Sequence, residues 1–188
     1  MTFKQWLTAL LLVAAFGAQA VEIHGVKIAE TAQVGDTTLV LNGAGTRIKV
    51  FFKVYVTALY VSAKKTDAAT ILEDSGTKRV NLTFLREADA DQFITAMNEG
   101  LNDNNSAAAL AALSSQLKTF RQMIVSVGEV NPGDVVTLDY LPGKGTQVLF
   151  NGKSLGIVTG EQLYTALLKI WLGEHPVDTA LKKALLGN

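Results

Sequence analysis

The apolar residues of this chain recur at two different periods, and the places where the period changes leave few folds open. In the first half the segments "VEIHGVKI", "TTLVLNG" and "KRVNLTFL" alternate apolar and polar residues, as strands with one buried face do. From Asp89 the spacing lengthens to three and four. Phe93, Ile94, Met97 and Leu101 mark a helix begun by Asp89 or Asp91 as cap, and Leu110, Leu113, Leu117, Phe120, Ile124 and Val127 mark a second, long one. "NDNNS" reads as a turn and capping cluster between them, and "NPGD" (131–134) ends the helical stretch. Three more strands follow, "VVTLDYL", "TQVLF" and "KSLGIV", with Asn151-Gly152 between the last two as a type I′ hairpin signal. A helix carrying Leu163, Leu167, Ile170 and Trp171 opens near Thr159 or Gly160, and "PVDTALKKALL" supplies a short last one. This order predicts an α+β domain in which an antiparallel sheet is covered on one face by helices.

The first twenty residues read differently from the rest. Lys4, an apolar stretch from Trp6 to Phe16 and then Ala18-Gln19-Ala20 have the form of a secretory signal, so the expected division is a signal peptide at 1–20 and one domain at 21–188. The apolar stretch is shorter than the ~20 residues a spanning helix needs, and no integral membrane segment is expected after cleavage. Removing Lys4 leaves 16 basic against 17 acidic residues. A nearly neutral domain lacks the surplus of cations that phosphate neutralisation requires, so nucleic acid is not an expected partner. The chain has no cysteine, and an exported domain without disulfides depends on its core alone.

Several chemistries find no support in the residues. The phosphate loop pattern is absent, and Gly43 and Gly45 precede a strand rather than open a helix. His24 and His175 stand alone at opposite ends, so neither a metal site nor a cofactor is expected, and a hydrolytic triad lacks a base. What remains is Arg47, in "GAGTR", at the head of an aromatic and β-branched run. Read as one strand, that run puts Arg47, Lys49, Phe51, Lys53, Tyr55, Thr57, Leu59 and Val61 on one face. Ile48, Val50, Phe52, Val54, Val56, Ala58 and Tyr60 occupy the other, which is expected to face the helices. An unbroken strand would separate Arg47 from Tyr55 by about 26 Å at roughly 3.3 Å per residue, so only a bend or bulge could bring both to one pocket.

"GAGTR" followed by "KVYVTALYV", then "READADQFITAMNEGL" and "LLKIWLGEHPVDTALKKALLG", resemble the chalcone isomerase superfamily, especially its bacterial exported members, over residues 22 to 187. The resemblance implies an open-faced β-sandwich and a periplasmic location. In the plant enzymes of this family an arginine after G-A-G steadies anionic oxygen, with threonine, tyrosine and asparagine side chains assisting ring closure; fatty-acid-binding members use the arginine and a tyrosine to hold a carboxylate. The arginine falls on Arg47, the strand threonine near Tyr55 with Thr57 two residues on, the helix tyrosine on Phe93, the asparagine near Gly100 with Asn98 close by, and the late threonine on Thr159. Arg47 and Tyr55 are thereby the residues implied for catalysis. Phe51, Phe93 and Met97 are the expected apolar lining of a ligand site.

Three readings stand at this point. The first is a periplasmic protein binding a small amphipathic anion, of fatty-acid or phenolic type, through Arg47. The second is an isomerase or intramolecular lyase with Arg47 as electrostatic stabiliser. The third is a non-catalytic interaction module in which Arg47 is structural.

Overall fold

The computed structural model describes residues 20–188, so the signal peptide expected over residues 1–20 lies outside the described residues apart from Ala20. Strands β1 (Ala20–Ile23) and β2 (Val26–Ala29) form a small hairpin of their own. After them come β3 (Thr31–Val34), β4 (Thr37–Lys49), β5 (Phe52–Val61), helix α1 (Ala68–Glu73) and β6 (Lys78–Phe84). Helix α1, whose cap Asp67 accepts from the Thr70 N–H at 2.7 Å, is additional to the expected elements. The two-residue strands β7 (Ala88–Asp89) and β8 (Glu129–Val130) pair around a helical excursion made of α2 (Ala90–Asn104), α3 (Ala107–Ala112) and α4 (Ser114–Val127). The chain then returns as β9 (Val135–Leu141), β10 (Gly145–Phe150) and β11 (Lys153–Thr159), and ends in α5 (Gln162–Leu172) and α6 (Thr179–Leu185).

Seven strands pair throughout as antiparallel neighbours in the order β11-β10-β9-β6-β5-β4-β3. The α+β architecture is the expected one. Asp89 caps α2 by accepting from the Gln92 N–H, and Asn151 and Gly152 take φ of 49° and 78° at the β10–β11 turn. The expected long helix over Leu110 to Val127 is divided at Leu113, and α2 runs on into the expected turn cluster as far as Asn104. Ser106 then caps α3 through the Ala109 N–H.

Two expectations about residues 47–61 are corrected. The run is two strands, not one: the chain reverses at Val50 and Phe51, so that Arg47 lies directly across from Tyr55 in the β4–β5 ladder. The faces are also exchanged. Tyr55, Leu59 and Val61 pack in the main core with Leu82, Phe84, Leu138 and the helices, while Val56, Ala58 and Tyr60 pack with Ile28, Val34 and Leu39 in a second core under the N-terminal strands. Both faces of β5 are buried, so hydrophobicity could not tell them apart.

The helical layer is brought close to the sheet by small residues. An ideal Cβ at Gly43 would lie 2.1 Å from the Ala184 carbonyl oxygen, and one at Gly45 2.8 Å from the Ala184 Cβ; "GAG" is where α6 lies on β4. Asn42 fastens the contact. Its buried amide donates to the Leu185 carbonyl at 2.7 Å and to the Lys65 carbonyl at 2.9 Å, and its oxygen accepts from the Lys65 N–H at 2.7 Å. At Gly100 a Cβ would sit 2.9 Å from Ile170, so that glycine serves the packing of α2 on α5.

Burial pushes the phenols of Tyr55, Tyr60 and Tyr164 above their ordinary value of 10.0, Tyr164 well above it. The folded protein therefore keeps protons that the unfolded chain gives up near pH 10. Stability is expected to be indifferent to these groups below that pH. Above it, stability falls by up to about 1.4 kcal/mol per pH unit per tyrosine until each folded value is reached. Denaturant midpoints taken between pH 8 and 12 read this directly; a midpoint unchanged into strong alkali would mean that the phenols are reached by water in the folded state.

Candidate functional site

Beneath the β4–β5 turn, between the sheet and α2 and α5, lies a cavity of about 470 Å³, within the size range of small-molecule sites. Its inner wall is apolar. Leu82 and Phe84 come from β6, Leu138 from β9, Phe93, Ala96 and Met97 from α2, Phe120 from α4, and Leu167, Ile170 and Trp171 from α5. The α2 residues follow the three-and-four spacing of one helix face. Phe84 sits at the centre of an aromatic group, its ring centroid 6.0 Å from Tyr55 and 6.1 Å from Phe93. The outer rim is exposed and polar, with Lys49, Arg86, Glu87 and Gln92.

Two polar groups reach inside, and the hairpin places them together. Arg47 and Tyr55 are cross-strand partners, and the Arg47 Cζ lies 5.8 Å from the Tyr55 ring centroid. The turn at Val50 and Phe51 removes the separation that a single strand would have imposed. Tyr55 is 6% exposed, and its hydroxyl accepts from the Trp171 indole N–H at 3.1 Å. With that acceptor position taken, its own proton is free to be donated into the cavity. Burial raises the Tyr55 pKa, against the opposing pull of the Arg47 charge and the Trp171 bond, so the group remains a neutral donor at ordinary pH.

Arg47 forms no ion pair among the described residues. Its Nε is buried and has no hydrogen-bond partner. Asp178 is the acid close enough to influence Tyr55, but its carboxylate is committed elsewhere. Oδ1 caps α6 through the N–H groups of Ala180 and Leu181, at 2.9 and 3.0 Å, and Oδ2 accepts from the Ile48 N–H at 3.1 Å. A forked, permanently charged donor is thus left with unused capacity in an apolar enclosure. Such an arrangement can hold a carboxylate or phenolate by charge-assisted hydrogen bonds.

Of the residues expected from sequence, Arg47, Tyr55, Phe93 and Met97 line the cavity, and four do not. Phe51 is at the tip of the hairpin, 90% exposed. Thr57 faces the main core deeper along β5, fully buried, its hydroxyl without a partner. Asn98 lies on the side of α2 turned to α4, where its oxygen accepts from Arg121 at 2.8 Å. Thr159 ends β11, exposed, opposite Gly145. Phe51 shares a face with Arg47 and Tyr55 only in an unbroken strand, and the reversal at that residue puts it in the turn instead. Trp171 and Arg86 were not foreseen as part of the site. For Trp171 a signal existed: an indole N–H on the apolar stripe of a helix must find a buried acceptor.

The sequence profile of one family, described as chalcone isomerase-like, matches residues 20–187. Among solved structures, the chain is similar to a crystal structure of an Arabidopsis thaliana fatty-acid binding protein, with a TM-score of 0.69 and 16% identity, covering 89% of this chain and 96% of that one. No curated protein matches it in sequence. Among the described residues no helix is long and apolar enough to cross a membrane.

Proposed function

Because the chain belongs to the chalcone isomerase-like family, we propose that it binds one small amphipathic anion, of fatty-acid or phenolic type, head-first against Arg47 and Tyr55. The observation that carries this reading is the Arg47 guanidinium, unpaired among the described residues and with a buried, unpartnered Nε, at the edge of an apolar cavity. The anionic head takes Arg47 and the free proton of Tyr55, and the tail runs inward along Phe84, Phe93 and Met97. The fatty-acid binding of the Arabidopsis protein with the same fold supports the choice of ligand. Binding is preferred to turnover because Phe93 offers no hydrogen bond and Gly100 is spent on the contact with Ile170. Export to the periplasm belongs to the same proposal, on the strength of the leader in the sequence.

Native mass spectrometry of the protein purified from its own compartment tests the reading. One retained carboxylic acid or phenolic molecule per chain is expected. Protein that emerges empty, and whose melting temperature is unmoved by lauric acid, palmitic acid or a hydroxychalcone, overturns it. Tyr55→Phe is expected to weaken binding about tenfold, the loss of one hydrogen bond to a charged group, roughly 1.5 kcal/mol. A competition assay with a fluorescent fatty acid measures it.

A further inference from the structure

The hairpin between β4 and β5 ends in four apolar side chains that the fold leaves in water. Ile48 is 48% exposed, Val50 76%, Phe51 90% and Phe52 58%, and they make up most of the large apolar residues exposed anywhere among the described residues. Scattered exposed apolar residues are ordinary, but a cluster at one protruding turn is not. The backbone adds to the anomaly. Val50 holds φ at 60°, a conformation that glycine or asparagine takes easily and a β-branched residue does not. Turn formation alone would favour a different residue there.

Cations surround this tip. Lys49 and Lys53 bracket it in sequence, and the Arg86 guanidinium stacks on Phe52, its Cζ 4.5 Å from the ring centroid. Lys53 Nζ lies 3.2 Å from Nδ1 of His24 in the β1–β2 turn. The acids nearby include Glu87 on the cavity rim, with Glu129 and Asp89 behind it, and Asp178, which is turned to the start of α6. Exposed aromatic rings ringed by ammonium and guanidinium groups match an anionic lipid surface, where rings enter the interfacial layer and cations meet phosphates.

The tip is continuous with the cavity, since Lys49, Val50, Phe52 and Arg86 line its mouth. We propose that the β4–β5 tip inserts into an anionic lipid surface and holds the cavity mouth against it, so that the amphipathic anion passes between bilayer and cavity without crossing water. The passage of ligand rests on the binding function proposed above; the docking does not.

The test is flotation with phosphatidylcholine vesicles made with and without phosphatidylglycerol, comparing the full chain with its Phe51→Asp variant. Both proteins have the same N-terminal segment, so a difference between them reports on the tip. The unaltered protein is expected to float with the phosphatidylglycerol vesicles and to be released by salt. The variant is expected to lose about tenfold or more in vesicle affinity. Its melting temperature and its uptake of lauric acid from solution are expected to be unchanged, because Phe51 lies outside the cavity. Equal flotation of the two proteins, or no flotation of either, overturns the proposal. So does a vesicle-independent dimer that Phe51→Asp abolishes, which would assign the tip to a second copy of the chain. Intact tip-dependent flotation with no uptake of lauric acid, palmitic acid or a hydroxychalcone by either protein would sustain docking and refute both the passage of ligand and the binding function on which it rests.

Discussion

Arg47→Ala is expected to abolish measurable retention of an amphipathic acid while leaving the empty protein as stable as before, or slightly more so. Removing one partner of a buried charged pair typically costs 2–5 kcal/mol, about 30-fold to several thousand-fold in affinity, because the remaining charge is left desolvated and unmatched. Here the remaining charge is the ligand's carboxylate or phenolate in an apolar enclosure. The stability of the empty protein moves the other way for the same reason. The buried Nε of Arg47 has no partner and the guanidinium no ion pair among the described residues, so what the fold draws from it is the contact with the Tyr55 ring, 5.8 Å from Cζ, a small gain set against a desolvated charge. A residue that would serve a ligand at little benefit to the fold shows this opposition of affinity and stability. Arg47→Lys is expected to recover little affinity, since an ammonium lacks the planar fork that meets two oxygens at once. Calorimetric titration with lauric acid beside thermal melts of all three proteins measures both effects. Undiminished affinity in Arg47→Ala would remove Arg47 from the site.

Gly43→Val is expected to lower the melting temperature by roughly 10 °C, if the protein accumulates folded at all. A Cβ there would stand 2.1 Å from the Ala184 carbonyl oxygen and 2.8 Å from the carbonyl carbon and oxygen of Leu185, all main-chain atoms of α6. A backbone cannot rotate aside as a side chain can. Overpacking of this kind costs 1–3 kcal/mol or more, and each kcal/mol shifts the midpoint by about 2–4 °C in a domain of this size. Gly45→Ala should be milder, because the atoms it meets stand farther off, the Ala184 Cβ at 2.8 Å and the Leu181 Cδ1 at 3.0 Å, and the Leu181 side chain can turn aside, while the Ala184 Cβ yields only with its backbone. Displacing α6 also breaks the bond from Asn42 to Leu185 and shifts Asp178 from its contact with Ile48, the residue next to Arg47. Differential scanning calorimetry of both variants tests the order. A Gly43→Val protein as stable as the parent would mean that α6 does not lie on β4 as described.

The architecture was legible along the chain because most elements announce themselves locally. Alternation at Val80, Leu82 and Phe84 made β6, the three-and-four spacing of Phe93, Met97 and Leu101 made α2, and Asn151-Gly152 made a hairpin. The site was legible only in part. Arg47 stood out as a charge beside material that is buried, and Phe93 and Met97 followed from the helix that carries them. Phe51, Thr57, Asn98 and Thr159 were expected at the cavity and lie elsewhere, each for a reason of placement: a turn tip, a deeper core position, the far side of a helix, a strand end.

What the sequence determined by itself is the kind of most elements, roughly where they start and stop, and the residue types that can do chemistry, because caps, turns and hydrophobic periods act over a few neighbouring residues. Tertiary structure alone decided that the apolar run from residue 47 to 61 folds back at Val50, and that Arg47 and Tyr55 therefore face one another. It also decided that the Trp171 indole takes the acceptor side of the Tyr55 hydroxyl from across the core. Both faces of β5 are buried and an apolar turn is as hydrophobic as the strands it joins, so periodicity carries no mark of the reversal. It is resolved only when distant segments, α5, α6 and the N-terminal strands, compete for the two faces.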